Sequence, residues 1–241
     1  MSSETPAASP PGGDSDFARL PGAIFSPGRT FESIARRPSW ILPVLLWIVC
    51  SVSLSVVLLP RMDFEKMTRE RFEKAGRTVT DEQLQSIVER QRRFAPIFGY
   101  AGAVLAPVLI ALLVAVVLWG AFRAFGWDST YPQALGVTTH AFLPGVLGSL
   151  LLIPLVARQE RMDPSAMGDL LRSNLGFLVA RDSKVLHSLL SSIDVFGLWT
   201  LALLVLGFAE AARIPKGRSA ALILSLWGIF VLARAGLAAL F

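Results

Sequence analysis

With 53% hydrophobic and only 17% charged residues among 241, the chain is too apolar to be a soluble domain with a hydrated surface. Its formal charge of +5 does not mark a nucleic-acid binder, because the bases sit beside apolar runs, interleaved with acids, and read as interfacial anchors. Two histidines and one cysteine, far apart, cannot supply a zinc site, and neither a phosphate-cradling Gly-rich loop nor a Ser/His/Asp motif is present. No cofactor and no catalytic residue is expected, and the chain reads as a non-enzymatic membrane protein.

Residues 1–16 are rich in Pro, Ser and Gly and carry acids but no base, so they lack the basic start of a signal peptide and are expected to form a disordered tail. Residues 17–241 form the membrane domain. From Phe17 to Pro38 the apolar positions Leu20, Ile24, Phe25, Phe31 and Ile34 are interrupted by Pro21, Pro27 and Gly28, which favours two short interfacial helices over one long one. Thr30 is placed to cap the second, with Arg36 and Arg37 in its last turn. A loop packed on the protein's own surface is the plainer alternative.

A lipid-spanning helix needs about 20 mostly apolar residues. The first span is expected over residues 40–59, with Trp40 at one interface, Pro60-Arg61 at the other, and Cys50 inside it with no partner for an intramolecular disulfide. Residues 61–95 then turn abruptly to charge, with Gly76 in the middle and the capping box Thr80-Asp81-Glu82-Gln83 after it. A charged hairpin of two helices, about 15 residues each and standing roughly 20 Å off the membrane, follows from this pattern. The second span, residues 96–122, carries Gly99, Gly102, Ala103 and Ala106 as a small-residue stripe, and Pro107 predicts a kink.

After the turn at Gly126-Trp127-Asp128, a helix capped by Ser129 or Thr130 begins near Tyr131-Pro132 and runs amphipathically toward His140. The apolar part of the third span, residues 141–157, is only about 25 Å long. It crosses the bilayer only if the preceding helix dips in or the bilayer thins, and Pro144 and Pro154 leave a re-entrant or broken helix as an alternative. Residues 158–193 hold polar turns at Asp163-Pro164 and Arg181-Asp182, then an apolar face of Val185, Leu186, Leu189, Leu190 and Ile193 that suits the membrane surface. Spans four and five, residues 195–212 and 220–240, are joined by a short basic loop and must form an antiparallel hairpin. The fold class is therefore all-α, a polytopic transmembrane bundle of about five spans with interfacial helices.

Several features resemble the bacterial Yip-domain family: Phe25-Ser26-Pro27-Gly28-Arg29-Thr30-Phe31 with Arg36-Arg37-Pro38, Leu143-Pro144, the run from Leu189 to Trp199, and Leu206-Gly207. The resemblance covers nearly the whole chain from Phe17 onward, on motifs that are loose and mostly hydrophobic. It implies five spans, a cytosolic N-terminus and a place in a bacterial inner (cytoplasmic) membrane. The eukaryotic members, named for interacting with Ypt/Rab GTPases, act in vesicle traffic and membrane shaping. Their Asp-Leu-Tyr-Gly-Pro type of signature is missing here, so GTPase binding does not carry over.

Ionisable residues within or beside spans are expensive and become candidates for function, namely His140, Asp194, Glu210 and Arg234. His140, next to Thr138 and Thr139, reads as a satisfied structural imidazole or, more sharply, as a proton relay. Glu210 lies one turn from Arg213, which suggests a surface ion pair. In the last hairpin Asp194 and Arg234 fall roughly 4.5 Å apart in height, close enough for a guanidinium to pair with the carboxylate. The competing reading has Asp194 capping the fourth span while Arg234 snorkels outward.

Of the 23 Lys and Arg, eight fall on the N-terminal side and fifteen opposite, which by simple counting puts the N-terminus outside. The larger number is dominated by the hairpin, where nine bases accompany seven acids, whereas the loop from Arg213 to Arg218 is purely basic and tight against two spans. With the family resemblance, this places the N-terminus in the cytoplasm. The function expected is a scaffold that organises lipid or other membrane proteins, its partners being the bilayer and such proteins rather than nucleic acid. The rival is a transporter or permease component with spans two and three lining a path and His140 at the bend.

Overall fold

The computed structural model describes residues 15–163, 167–179 and 183–240. The expected tail lies outside the described residues as far as Asp14, as do Pro164 and the Arg181-Asp182 turn. Ser15 and Asp16, assigned to that tail, instead open the first helix, α1 (Asp16–Phe25), where the Ser15 hydroxyl accepts the Ala18 N–H. A break at Ser26 separates it from α2 (Pro27–Arg36), which starts on Pro27 because a proline in the first turn lacks only an amide hydrogen that has no partner there. Thr30 is thus inside the helix, its Oγ1 bonded to the Ser26 carbonyl at 3.1 Å, rather than capping it.

The apolar face of α2 turns inward, not to lipid. Phe31 and Ile34 are fully buried in the main core with Val137, Leu203, Leu204 and Phe208. Burying two such side chains stabilises the bundle by roughly 1.5–3 kcal/mol each, enough to hold a ten-residue helix that would not persist alone. Gly207 makes this approach fit, since a Cβ there would collide with Val137 and the Phe31 ring.

Five helical stretches are long and apolar enough to cross a membrane: 41–61, 81–124, 131–157, 195–212 and 216–239. The first is α3 (Ile41–Leu58) with a 3-10 turn, Leu59–Arg61. After α4 (Phe64–Lys74) comes α5 (Asp81–Ala124), 44 residues and about 66 Å long, so the outer arm of the hairpin and the second span are one helix. It stays helical through Pro96 and Pro107. Its buried residues Ala103, Pro107, Ala111, Ala115, Leu118 and Phe122 recur every three or four positions and pack on α3 and α6. Gly99 and Ala103 of the expected small-residue stripe lie on that face, and a Cβ on Gly99 would come within 2.8 Å of Leu59. Gly102 has open space and Ala106 is exposed, because each sits a further 60–100° around the helix.

The third crossing consists of α6 (Tyr131–Ala141) and α7 (Leu143–Ala157), together 27 residues or about 40 Å. The span therefore runs well beyond the expected 141–157, with α6 supplying the missing length. Nor is α6 amphipathic: every residue from Ala134 to Ala141 is buried, and the helix forms the centre of the bundle among α2, α5 and the helix of the fourth span, Val195–Ala212. The capping boxes at both Thr80 and Thr130 form as their sequences require.

The last pair is α10 (Val195–Ala212) and α11 (Lys216–Leu240), an antiparallel hairpin stitched by the Ser219 hydroxyl to the Val205 carbonyl at 2.8 Å. Away from the core the helices are oily, as Leu109 and Leu113 on α5 and Phe230 and Leu232 on α11 are all more than half exposed. That arrangement fits lipid and not water as solvent.

On the side opposite the N-terminus, α4 folds back on α5 over Phe64, Leu84 and Val88, with Thr68 bonded to Gln91 at 3.1 Å and Gly76 turning the chain at φ 64°. A short helix, α8 (Met167–Leu170), precedes α9 (Lys184–Ser191), which packs along α11 with Ser188 buried and Val185 and Leu186 turned outward.

Candidate functional site

The polar groups of this bundle gather at its two rims. On the N-terminal side Arg19 of α1 is only 2% exposed, and its guanidinium donates to Asp16, the Arg37 carbonyl, Ser39 and Ser33 at 2.9–3.0 Å. One side chain thereby fastens α1 to the end of α2 and the start of α3. His140, on α6, is fully buried, with Nδ1 2.8 Å from the Gly136 carbonyl. Since a carbonyl only accepts, Nδ1 carries the proton and Nε2 is left as an acceptor. Both His140 Nε2 and Arg19 Nε are buried without a hydrogen-bond partner. His140 is thus held by its own helix, and it lines neither the N-side cleft around Arg123 nor the opposite one beside Arg61.

The second N-side feature is a cleft of about 560 Å³ between the end of α5 and the α10–α11 turn. Arg123, Trp127, Ser129 and Arg213 line it. The Arg123 guanidinium lies over the Trp119 ring at 5.9 Å and 4.0 Å from the fully exposed Asp128. Ser129 is 5% exposed and its hydroxyl is unpartnered, while its carbonyl accepts the Trp119 indole N–H at 3.0 Å. Trp127 stacks on Phe125, which is 64% exposed.

Arg213 ends α10 in the left-handed conformation, φ 54° and ψ 45°. A non-glycine residue held there costs roughly 1–2 kcal/mol, and glycine is the usual occupant. The expected Glu210–Arg213 ion pair does not form among the described residues. The left-handed residue turns the chain off the helix, so the two side chains no longer share a helical face; Arg213 N–H bonds the Glu210 carbonyl at 3.3 Å instead, and Glu210 is half-buried.

Nor does Asp194 pair with Arg234. Its Oδ2 accepts the Gly197 N–H at 2.7 Å as the N-cap of α10, which aims the carboxylate at the helix end. Arg234 is exposed, one position off the α11 stripe of Ile223, Val231 and Ala235 that faces inward. Pro144 is buried in the first turn of α7, so it starts that helix after the break at Phe142 rather than interrupting it.

On the opposite rim Arg61 donates to the carbonyls of Val57 at 2.7 Å, Gln159 at 3.1 Å and Ala157 at 3.3 Å, tying the C-terminal ends of α3 and α7 together. A cleft of about 450 Å³ beside it is lined by Arg61, Asp63, Arg92, Glu160 and Arg161, bases and acids mixed.

A family model for the Yip1 domain matches residues 22–237. The chain belongs to the Yip1 domain family. It is similar to the membrane protein YknW of Bacillus subtilis (strain 168), with 23% identity over 210 residues, covering 87% of this chain and 85% of that protein. No solved structure matches it.

The Yip1 region takes in the first four candidate spans and all but the last two residues of the fifth, together with Arg61 and the two clefts above, while Arg19 stands just ahead of it. Neither Arg19 nor Arg61 was singled out as a site from the sequence of this Yip1-domain chain. The partners of Arg19 lie as far as 20 residues away and those of Arg61 up to 98, beyond any local pattern. Ser129 was read only as a cap, a role that Thr130 takes.

Proposed function

We propose that this Yip1-domain protein is a non-enzymatic membrane scaffold that organises lipid and partner proteins, with its N-terminal face in the cytoplasm and the α4–α5 hairpin turned toward partners. The observation that carries the reading is the closure of α6: the central helix is buried from Ala134 to Ala141, with His140 sealed among its neighbours. A permease would need water-lined polar groups at that depth. The polar groups there, Thr138, Thr139 and His140, are instead buried against apolar and small side chains, and the clefts lined by Arg61 and by Arg123 open at the rims.

Photo-crosslinking amino acids at Glu73 and Arg77 on the exposed hairpin, with Leu109 on the lipid-facing side of α5 as background, test the role in native membranes. The expected result is a discrete protein adduct from the hairpin that disappears when neighbouring hairpin charges are reversed and is absent from Leu109. Equal yields from all three sites, together with solute-driven swelling of proteoliposomes holding the pure chain, would overturn the scaffold in favour of the permease. Orientation is checked on a Cys50→Ser background: in intact cells an impermeant maleimide is expected to label Arg77→Cys and spare Gly217→Cys.

A further inference from the structure

We infer that the cleft between the end of α5 and the α10–α11 turn binds the phosphate of one anionic phospholipid, gripped by Arg123 and Arg213 with the Ser129 hydroxyl as a third donor. Three observations converge. Two arginines, Arg123 and Arg213, line the cleft with a single acidic residue, Asp128. Arg123 lies over the Trp119 ring, and the carboxylate near it, that of fully exposed Asp128, is 4.0 Å away, too long for a hydrogen bond, so the guanidinium can turn its in-plane N–H groups to an oxygen ligand. Ser129 is nineteen-twentieths buried in the cleft wall with its hydroxyl unpartnered, and of the four buried polar groups without a partner among the described residues it is the one that borders a cleft.

Arg213 adds an independent argument. The fold asks for glycine at a left-handed helix terminus, yet an arginine stands there and reaches the cleft. Strained backbone of this kind gathers where a side chain has work besides folding.

The cleft's position selects a lipid over a soluble phosphate compound. It sits where three spans end, at headgroup depth, and its aromatic wall continues through Trp127 onto the exposed Phe125 ring. A headgroup phosphate in the cleft leaves its acyl chains against that apolar edge, as interfacial aromatics commonly arrange. The α6 N-terminus is not the anchor, because Thr130 and Gln133 already satisfy it. The inference rests on the chain spanning a membrane and not on the scaffold reading, which is tested at the opposite face.

The test is native mass spectrometry of the full chain in detergent, titrated with dioleoyl-phosphatidylglycerol, with dioleoyl-phosphatidylcholine as the zwitterionic comparison. The wild type is expected to prefer phosphatidylglycerol. The double variant Arg123→Gln/Arg213→Gly should weaken its binding at least tenfold more than Lys216→Gln/Arg218→Gln, which removes the same charge from the adjacent exposed turn. Ser129→Ala should weaken it about tenfold, and Asp128→Asn should strengthen it severalfold.

Thermal unfolding separates binding from folding, because Arg213→Gly relieves the left-handed backbone and should not lower the unfolding temperature. Equal weakening by the two double variants would reduce the effect to diffuse charge and overturn the site. Loss of binding only in proportion to loss of folding would overturn it as well. Competition by inorganic phosphate or glycerol 3-phosphate at concentrations matching the lipid would overturn the lipid assignment.

Discussion

Replacing Arg19 with alanine removes a guanidinium that is 2% exposed and strands the groups it serves: the Asp16 carboxylate, the Arg37 carbonyl and the hydroxyls of Ser33 and Ser39. Breaking a buried ion pair by deleting one partner costs about 3–5 kcal/mol. Asp16 remains 49% exposed and can rehydrate, which places the expected loss at the lower end, about 3 kcal/mol. At about 1.4 kcal/mol per factor of ten, the opening equilibrium of the N-terminal segment shifts roughly 10²-fold.

Hydrogen–deuterium exchange of the chain in lipid nanodiscs reads this directly. Amides of α1 and α2 should exchange roughly two orders of magnitude faster while those of α10 hold their protection. Arg36→Ala is the control, since its pair with Glu32 is 72% and 54% exposed and should contribute no more than about 0.5 kcal/mol. Arg19→Lys should fall between, because an ammonium cannot reproduce the planar fork. Unchanged exchange in α1 after Arg19→Ala would refute the anchoring role.

Gly207→Ala should lower the unfolding midpoint in sodium dodecyl sulfate titrations by about 1–3 kcal/mol, because the new methyl meets Val137 and Phe31. Gly102→Ala, placed in open space, should leave the midpoint unchanged or raise it. Asp194→Ala should cost about 0.5–2 kcal/mol as a lost helix cap and Asp194→Asn much less. A double-mutant cycle with Arg234→Gln should show coupling below about 0.5 kcal/mol, since the two groups do not meet. Arg61→Ala should cost about 1.5–3 kcal/mol and raise protease sensitivity near Gln159, because three carbonyls lose their charged donor.

What was legible in the sequence was set by local rules. Long apolar runs, the Thr80 and Thr130 caps, the charged hairpin and the closing antiparallel pair all follow from composition, spacing and turn chemistry within a few residues. The errors arise where distant partners decide. The Phe31–Ile34 face was assigned to the membrane interface because hydrophobicity alone cannot distinguish lipid from a neighbouring helix, and the space it fills is opened by Gly207 on α10 and Gly136 on α6. Segment α6 looked amphipathic because Gln133, Thr138, Thr139 and His140 are polar, yet each of the last two returns its side chain to the Gly136 carbonyl and so can be buried. The Asp194–Arg234 pair rested on height along two helices, whereas rotation about them decides contact.

Sorting the ionisable and hydroxyl groups by what they already hold narrows where the protein can act. Arg19, Thr30, Arg61, Asp194 and Ser219 spend their donors and acceptors on helix ends and helix contacts. In the hairpin, Lys66 lies near Glu70, and Arg69 near Glu65 and Asp81, so part of its charge is balanced internally. Arg123, Ser129 and Arg213 stand apart: they share one rim cleft, the serine has no partner, and the second arginine occupies backbone that favours glycine. Because α6 is buried from Ala134 to Ala141, its unpartnered Thr138 Oγ1 and His140 Nε2 are closed to a ligand from outside, whereas Arg123, Ser129 and Arg213 line a cleft that opens at the rim.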